Sequence, residues 1–298
     1  MICFLTIASV NAIDLNESSL NEFDDLNTHD LISIEDNETD NALLSTNFTP
    51  KTSVEIQNSI ENANDGDTII LDGYYSLESK INVNKALTFI GQNNATVDGL
   101  FKTKLFYVSK AGVTFKNITF INANASNDNG GAISSYGGVT VDVIKCSFIN
   151  NTAKNGGALA YCTAINCSFL NNSAEMGGAT YASKSFNSSF TNNFAINYGG
   201  AMSGGRAENS KFKGNSVNSL FLGAGGGAVT QTTVFNCTFI DNIALSGFGS
   251  AMWKGKAENS TFLNNTGSYA LYQSEALNSI FSNNSKGAMN GRKNNESN

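Results

Sequence analysis

One proline, one histidine and one tryptophan occur in 298 residues, and only 14% of the residues are charged. With His29 alone there is no Ser–His pairing, and the cysteines show no two-by-two Cys/His spacing of a metal site. No glycine loop carries the lysine of a phosphate cradle, and no basic stripe offers a nucleic-acid footprint. No apolar run is long enough to cross a membrane as a helix. Lysine and arginine are missing from the first 50 residues, which hold ten of the 25 acidic groups. The net charge of −7 therefore belongs to this leader, and the rest of the chain sits near +3.

What the chain has in abundance is asparagine, 44 residues of it, and self-similarity. A stretch such as Asn187-Ser188-Ser189-Phe190-Thr191-Asn192-Asn193, followed by Gly199-Gly200-Ala201-Met202, returns to the C-terminus. Its phenylalanine falls at Phe120, Phe148, Phe169, Phe190, Phe212, Phe239, Phe262 and Phe281. Asparagine stands three residues before seven of the eight, Lys145 being the exception, and three residues after seven, Ala123 being the exception. From each Gly-Gly-Ala element, or its decayed form, to the next Phe is 13 residues in six of seven cases. From Phe forward to the next Gly-Gly the distance varies between 6 and 14. A fixed segment alternating with a segment of variable length is the signature of a solenoid with a tolerant loop face.

About 21 residues per repeat is too short for a helical pair, and glycine with asparagine disfavours helix. Runs such as Val234-Phe235-Asn236-Cys237-Thr238-Phe239-Ile240 are β-branched and aromatic, bounded by turn residues. Strands returning once per coil stack in parallel about 4.8 Å apart. Equivalent residues then form ladders, Phe on Phe inside and Asn on Asn at the turns. Gly-Gly suits a corner of positive φ or close backbone approach. The expected fold is all-β: a single-stranded parallel β-helix, right-handed by the rule for parallel crossovers.

The paired elements Gly-Gly-Ala-(Ile/Leu/Val) and Phe-x-x-Asn resemble the repeats of polymorphic outer-membrane proteins. The wording Asn166-Cys167-Ser168-Phe169-Leu170-Asn171-Asn172-Ser173-Ala174 is similar to adhesin-like surface proteins of methanogenic archaea. The resemblance spans about residues 53 to 290. It implies a cell-surface, adhesin-like role and brings no catalytic residues with it.

In chain order, the apolar run Ile2 to Ala8 with Val10-Asn11-Ala12 resembles the end of a secretory signal peptide over residues 1–12, without the basic residues that should precede it. The expectation is a start further upstream, or a fragment. Residues 13–50, acidic and rich in Asn and Ser, read as a disordered linker ending at Pro50. From Ser53, the spacing of Val54, Ile56, Ile60 and Ala63 predicts a short capping helix ending in the turn Asn64-Asp65-Gly66-Asp67. Strand candidates follow at 68–71, 81–83, 87–90, 96–97, 106–108 and 113–115, resembling the first coils of pectate-lyase-like folds. Residues 51–298 form one β-helix domain in this reading. Gly287-Ala288-Met289 begins a coil whose Phe would fall near position 299, so truncation is expected.

Candidate chemistry is sparse. Cys146, Cys167 and Cys237 each lie two residues before their Phe, where other coils place serine. They read as a ladder of small residues, with a Cys146–Cys167 disulfide sterically open between adjacent coils. Sequons abound, and many look like by-products of the Asn ladders whose amides are committed. Asn16, Asn37 and Asn47 in the leader are the better glycan acceptors on this reading. Glu208 and Glu258 share a slot beside Arg206 and Lys256 and read as a duplicated surface ion pair. The turn at Asp65 and Asp67 lacks the further ligands of a calcium loop. No cofactor or metal is implied.

One feature points to binding. The second residue after each coil's Ala runs Ser134, Ala160, Tyr181, Ser203, Thr230, Trp253, Tyr272. Strand alternation turns it outward, so Trp253 and Tyr272 would form an exposed aromatic pair in adjacent coils, with Lys254 beside it. The competing reading reverses the alternation and buries both rings. The sequence thus predicts a secreted or cell-surface protein that binds glycans or proteins and not nucleic acid. A polysaccharide lyase or hydrolase and a purely structural envelope stalk stand as alternatives.

Overall fold

The computed structural model describes residues 51–136, 138–218, 224–245 and 247–290. The leader readings for 1–12 and 13–50 lie outside these residues. The described chain is a parallel β-solenoid of about ten turns with one helix near its start.

A single coil shows why the sequence winds this way. In the coil 156–177, left-handed residues stand at Gly156, Tyr161, Asn166, Asn171 and Gly177, with φ between 54° and 64°. Each turns the chain at a corner, and between them lie four short faces with strands Leu159–Ala160, Thr163–Ile165, Ser168–Leu170 and Ser173–Met176. Asparagine tolerates this backbone better than other side-chain-bearing residues, which accounts for its recurrence at the corners. The corner row before the third face is Asn117, Lys145, Asn166, Asn187, Asn209, Asn236, Asn259 and Asn278, all at positive φ. Lys145 keeps the geometry without the favoured residue. Strands of the first three faces join one 25-stranded sheet, and those of the fourth make a separate six-stranded sheet.

The core is built of ladders. From Phe120 to Phe281 the eight phenylalanines stack with centroids 4.6–5.1 Å apart and interplanar angles of 4–12°. The Asn three residues after each Phe from Phe148 on turns inward, and from Asn151 through Asn265 it is fully buried. Asn172 donates through Nδ2 to the carbonyl of Phe148 and to Oδ1 of Asn193, each at 3.0 Å. The backbone N–H of Asn172 donates to the same Oδ1 at 3.0 Å. The pattern repeats coil by coil, so a row of buried amides leaves no donor idle.

The two glycines of each Gly-Gly have different reasons to be there. Gly177 needs its φ of 62°. Gly178 has no room for a side chain, because a Cβ there would lie 2.1 Å from the carbonyl oxygen of Gly200 in the next coil.

The segment expected to be a tolerant loop is in fact the fourth face. Phe194–Tyr198 is a strand, and Ala195 within it is fully buried. Part of its length variation is absorbed by irregular register, as between Ala153 and Asn155. The capping helix runs Ser53–Asn62, and its Ile56 and Ile60 join the core that holds Leu71 and Val83.

Cys146, Cys162, Cys167 and Cys237 are free, buried thiols. The N–H groups of Ile118, Cys146 and Ser210 lean on the sulfurs of Cys146, Cys167 and Cys237 one coil on. Where serine holds the row the bond is the same, as from Cys167 N–H to Ser188 Oγ at 3.1 Å. The ladder reading holds, and the disulfide is not formed.

Candidate binding face

Met252 and Leu271 are fully buried, so the alternation places Trp253 and Tyr272 on the outside of the first face. Parallel pairing sets Thr230, Trp253 and Tyr272 in register in consecutive coils. Lys254 takes the left-handed corner at φ 53°, which swings its side chain back beside the indole. Its Nζ lies 4.2 Å from the Trp253 ring centroid. An exposed cation over an indole contributes about 0.5–1 kcal/mol.

The two rings do not form the isolated exposed pair that alternation implied. Both are half-buried, and each has another partner. Trp253 stacks on Tyr198 at 5.3 Å and 17°, and Tyr272 stacks on Phe248 at 4.3 Å and 27°. Tyr198, Gly225 and Phe248 are bridged in register at the end of the fourth face. A Cβ on Gly225 would sit 2.1 Å from the Phe248 carbonyl oxygen, so this position stays bare and the indole reaches Tyr198 across the intervening coil. The result is a corner of four rings with one ammonium. Trp253 Nε1 is buried within it without a hydrogen-bond partner.

Sequence reasoning named Trp253, Tyr272 and Lys254 and missed Tyr198 and Phe248. The missing signal was the residue immediately before Gly199 and Gly249, which lies in the segment taken for a loop.

A second polar cluster stands towards the helix-capped end of the same face. Lys104 Nζ donates to Asp128 Oδ2 at 2.6 Å and to Ser134 Oγ at 2.8 Å, with its side chain only 6% exposed. Burial pulls the Lys104 pKa down, against the raising effect of Asp128. Burial also pushes Asp128 up, but its bonds to Lys104 and to the Asn129 N–H outweigh this and leave its carboxyl below the usual range. Tyr107 lies between Lys80 and Lys104, whose ammonium groups are 5.1 and 5.8 Å from its ring centroid.

Other carboxylates are committed locally. Asp65 accepts the Ala86 N–H, which with Lys110 holds its carboxyl below the ordinary value, and Asp67 accepts the Asn64 N–H at 2.7 Å. Arg206 pairs with Glu208, but the expected Lys256–Glu258 counterpart is not among the ion pairs of the described residues. Lys256 instead stands opposite Glu275 in register. Among the described residues no three His, Cys, Asp or Glu side chains gather as a metal site.

Each coil thus runs from a left-handed corner through a stacked Phe and a buried Asn to Gly-Gly-Ala. Two such units match a known repeat. Residues 145–161 and 166–183 match the Chlamydia polymorphic membrane protein repeat. Within the matched residues, Phe148 and Phe169 belong to the ring ladder, Asn151 and Asn172 to the amide ladder, and Gly-Gly-Ala is the turn into the first face. No curated protein matches the sequence. Solved structures with a similar course include a PL6 alginate lyase in complex with a trisaccharide, at 11% identity and TM-score 0.47 over 81% of this chain. The chain spans 61% of that lyase's length. A mannuronic acid specific polysaccharide family 6 lyase from human gut microbiota is 12% identical, with TM-score 0.41, over 77% of this chain and 65% of its own. PfbA, a surface adhesin of Streptococcus pneumoniae, is 10% identical, with TM-score 0.33, over 83% of this chain and 93% of its own. None of these likenesses is evidence of a shared activity.

Proposed function

We propose that the chain is a secreted, surface-displayed, adhesin-like β-helix protein that binds or presents without catalysing. Its ligand class is cell-surface glycan or protein, and its contact is the corner formed by Trp253, Tyr272, Tyr198, Phe248 and Lys254. The observation carrying this reading is the convergence of four rings and a cation at one corner on the outside of the solenoid. Such a rigid apolar face with a polar rim suits stacking on a sugar ring or anchoring a protein partner. The match to the polymorphic membrane protein repeat supports surface display.

Trp253→Ala with Tyr272→Ala tests the contact. The double variant should keep its circular dichroism and a cooperative urea transition while losing adhesion to cells or to a glycan array. A folded double variant that adheres as well as the parent sinks the proposal. Export is tested separately. Given a basic n-region, the chain should be exported and cut after Ala12, and exported protein retaining residues 1–12 would count against the signal.

A further inference from the structure

Two sets of the coil asparagines, ladder and corner, differ in chemistry; Asn124, which heads Asn-Ala-Ser on the fourth face, belongs to neither, its Nδ2 donating to the Phe101 carbonyl at 3.0 Å. Those of the buried ladder, Asn151 to Asn265, give their amides to the core, and none of them heads an Asn-x-Ser/Thr sequence. The left-handed corner asparagines are exposed, and many of them do head one. At the corner before the third face these are Asn94, Asn117, Asn166, Asn187, Asn236 and Asn259. At the corner after it they are Asn150, Asn171, Asn264 and Asn283. The expectation that ladder bonding ties up the sequon amides is thus reversed, since ladder and sequons are disjoint. The one described amide bond among these heads is Asn236 Nδ2 to Asn209 Oδ1, between exposed neighbours. The hydroxyl residue two places on also keeps part of its surface open, as at Thr119, Ser168, Ser189, Thr238 and Thr261.

We propose that these corners are N-glycosylation acceptors, forming two glycan columns that border the third face and leave the ring-bearing first face bare. The proposal rests on the surface reading, because modification requires passage through a compartment with the transferase. The donor is an oligosaccharide on a polyprenyl phosphate carrier. Asparagine Nδ2 attacks the sugar C1, the N–C1 bond forms and the bond from C1 to the phosphate oxygen breaks. The lipid phosphate leaves with the electron pair, and the amide gives up one proton. A glycan at a corner meets solvent and leaves the core ladders intact.

The acceptors occur as pairs in consecutive coils: 94 with 117, 166 with 187, 236 with 259, 150 with 171, and 264 with 283. Lys145 and Asn209 separate the pairs of the first column; Asn192, Gly214 and Asp241 separate those of the second. Members of a pair are about 4.8 Å apart, closer than two oligosaccharides can stand. Each pair therefore carries one glycan.

The test is glycopeptide mapping of the full chain, expressed behind an added signal sequence in an N-glycosylating secretory host. Sugar should appear on corner asparagines, never on Asn172 or Asn193, and never on both members of a pair in one molecule. Thr261→Ala should move the glycan of its pair to Asn236, and Thr238→Ala with Thr261→Ala should remove it. A secreted, folded chain with sugar-free corners overturns the columns, as does full occupancy of both members of each pair. Surface labelling and adhesion of the same preparation test the adhesin reading separately, so that either can fail while the other stands.

Discussion

Asn172 and Asn193, one coil apart and both fully buried, share a 3.0 Å amide-to-amide hydrogen bond in which the first donates and the second accepts. The same Oδ1 of Asn193 takes the backbone N–H of Asn172, while its Nδ2 serves the carbonyl of Phe169 and the next asparagine. Removing this amide orphans groups on three neighbours. Asn193→Ala should cost about 2–4 kcal/mol, each buried group without a partner costing about 1–3 kcal/mol. Asn193→Asp should cost more at neutral pH, since a buried carboxylate cannot donate, and should recover in part on acidification. By contrast Asn171→Ala, at an exposed corner of φ 54°, should cost only about 1–2 kcal/mol of left-handed strain. Urea midpoints rank the three, and a corner variant less stable than the ladder variant would overturn the account.

The stacked phenylalanines make a second prediction. Phe190 lies 4.6 and 4.7 Å from the rings of its neighbours and is fully buried, so Phe190→Ala should cost about 3–5 kcal/mol. Ile196, 45% exposed on the adjoining face, is the right comparison, and Ile196→Ser should cost well under 1 kcal/mol. Equal midpoints would sink the ladder. Ala195, which the sequence placed in a loop, is fully buried and would be a poor control.

That misplacement shows where legibility ended. The Phe spacing, the Gly-Gly turns and the capping helix were readable because each repeats or caps with a fixed offset and one physical cause. The fourth face was not, because register slips such as that between Ala174 and Met176 hide its period. Tyr198 and Phe248 went unseen for the same reason. The periodicity placed Trp253 on the outside, but ring partners from coils further off are a tertiary property that alternation along one strand does not carry. Asparagine was legible as a ladder, but not that two rows form corners and a third fills the core.

Burial also makes the thiols sensitive to alkali. Desolvation pushes Cys167 and Cys237 up to about 11 and Cys162 to about 12, from an ordinary 9.0, and raises Cys146 as well. A folded pKa above the unfolded one gives stability that is whole below the unfolded value and lost as pH climbs towards the folded one. The chain should therefore lose stability between about pH 9 and 11, by up to about 1.4 kcal/mol per pH unit for each thiol. Serine already fills equivalent positions at Ser183, Ser188 and Ser260, accepting the N–H of the preceding coil. Replacing these four buried cysteines by serine should flatten this limb of the urea midpoint against pH. An unchanged slope would mean that the thiols are not the titrating groups.

Trp253 is the one tryptophan of the chain, so its emission reports the proposed contact directly. Its ring rests on Tyr198 with Lys254 Nζ above it. Tyr198→Ala opens the stacked side of the indole to water. Emission should shift to the red, and stability should fall by about 0.5–1.5 kcal/mol for the lost ring pair plus the area it covered. Lys254→Met removes the ammonium and keeps the stem, so emission should change in yield more than in wavelength, with stability moved by no more than about 1 kcal/mol. A ligand seated on this corner should shift or quench the same emission, saturably, and Tyr272→Ala should weaken that response without abolishing the free protein's spectrum. If adhesion to cells or a glycan array is measured and Trp253 emission stays blind to saturating ligand, the contact lies on another face of the solenoid.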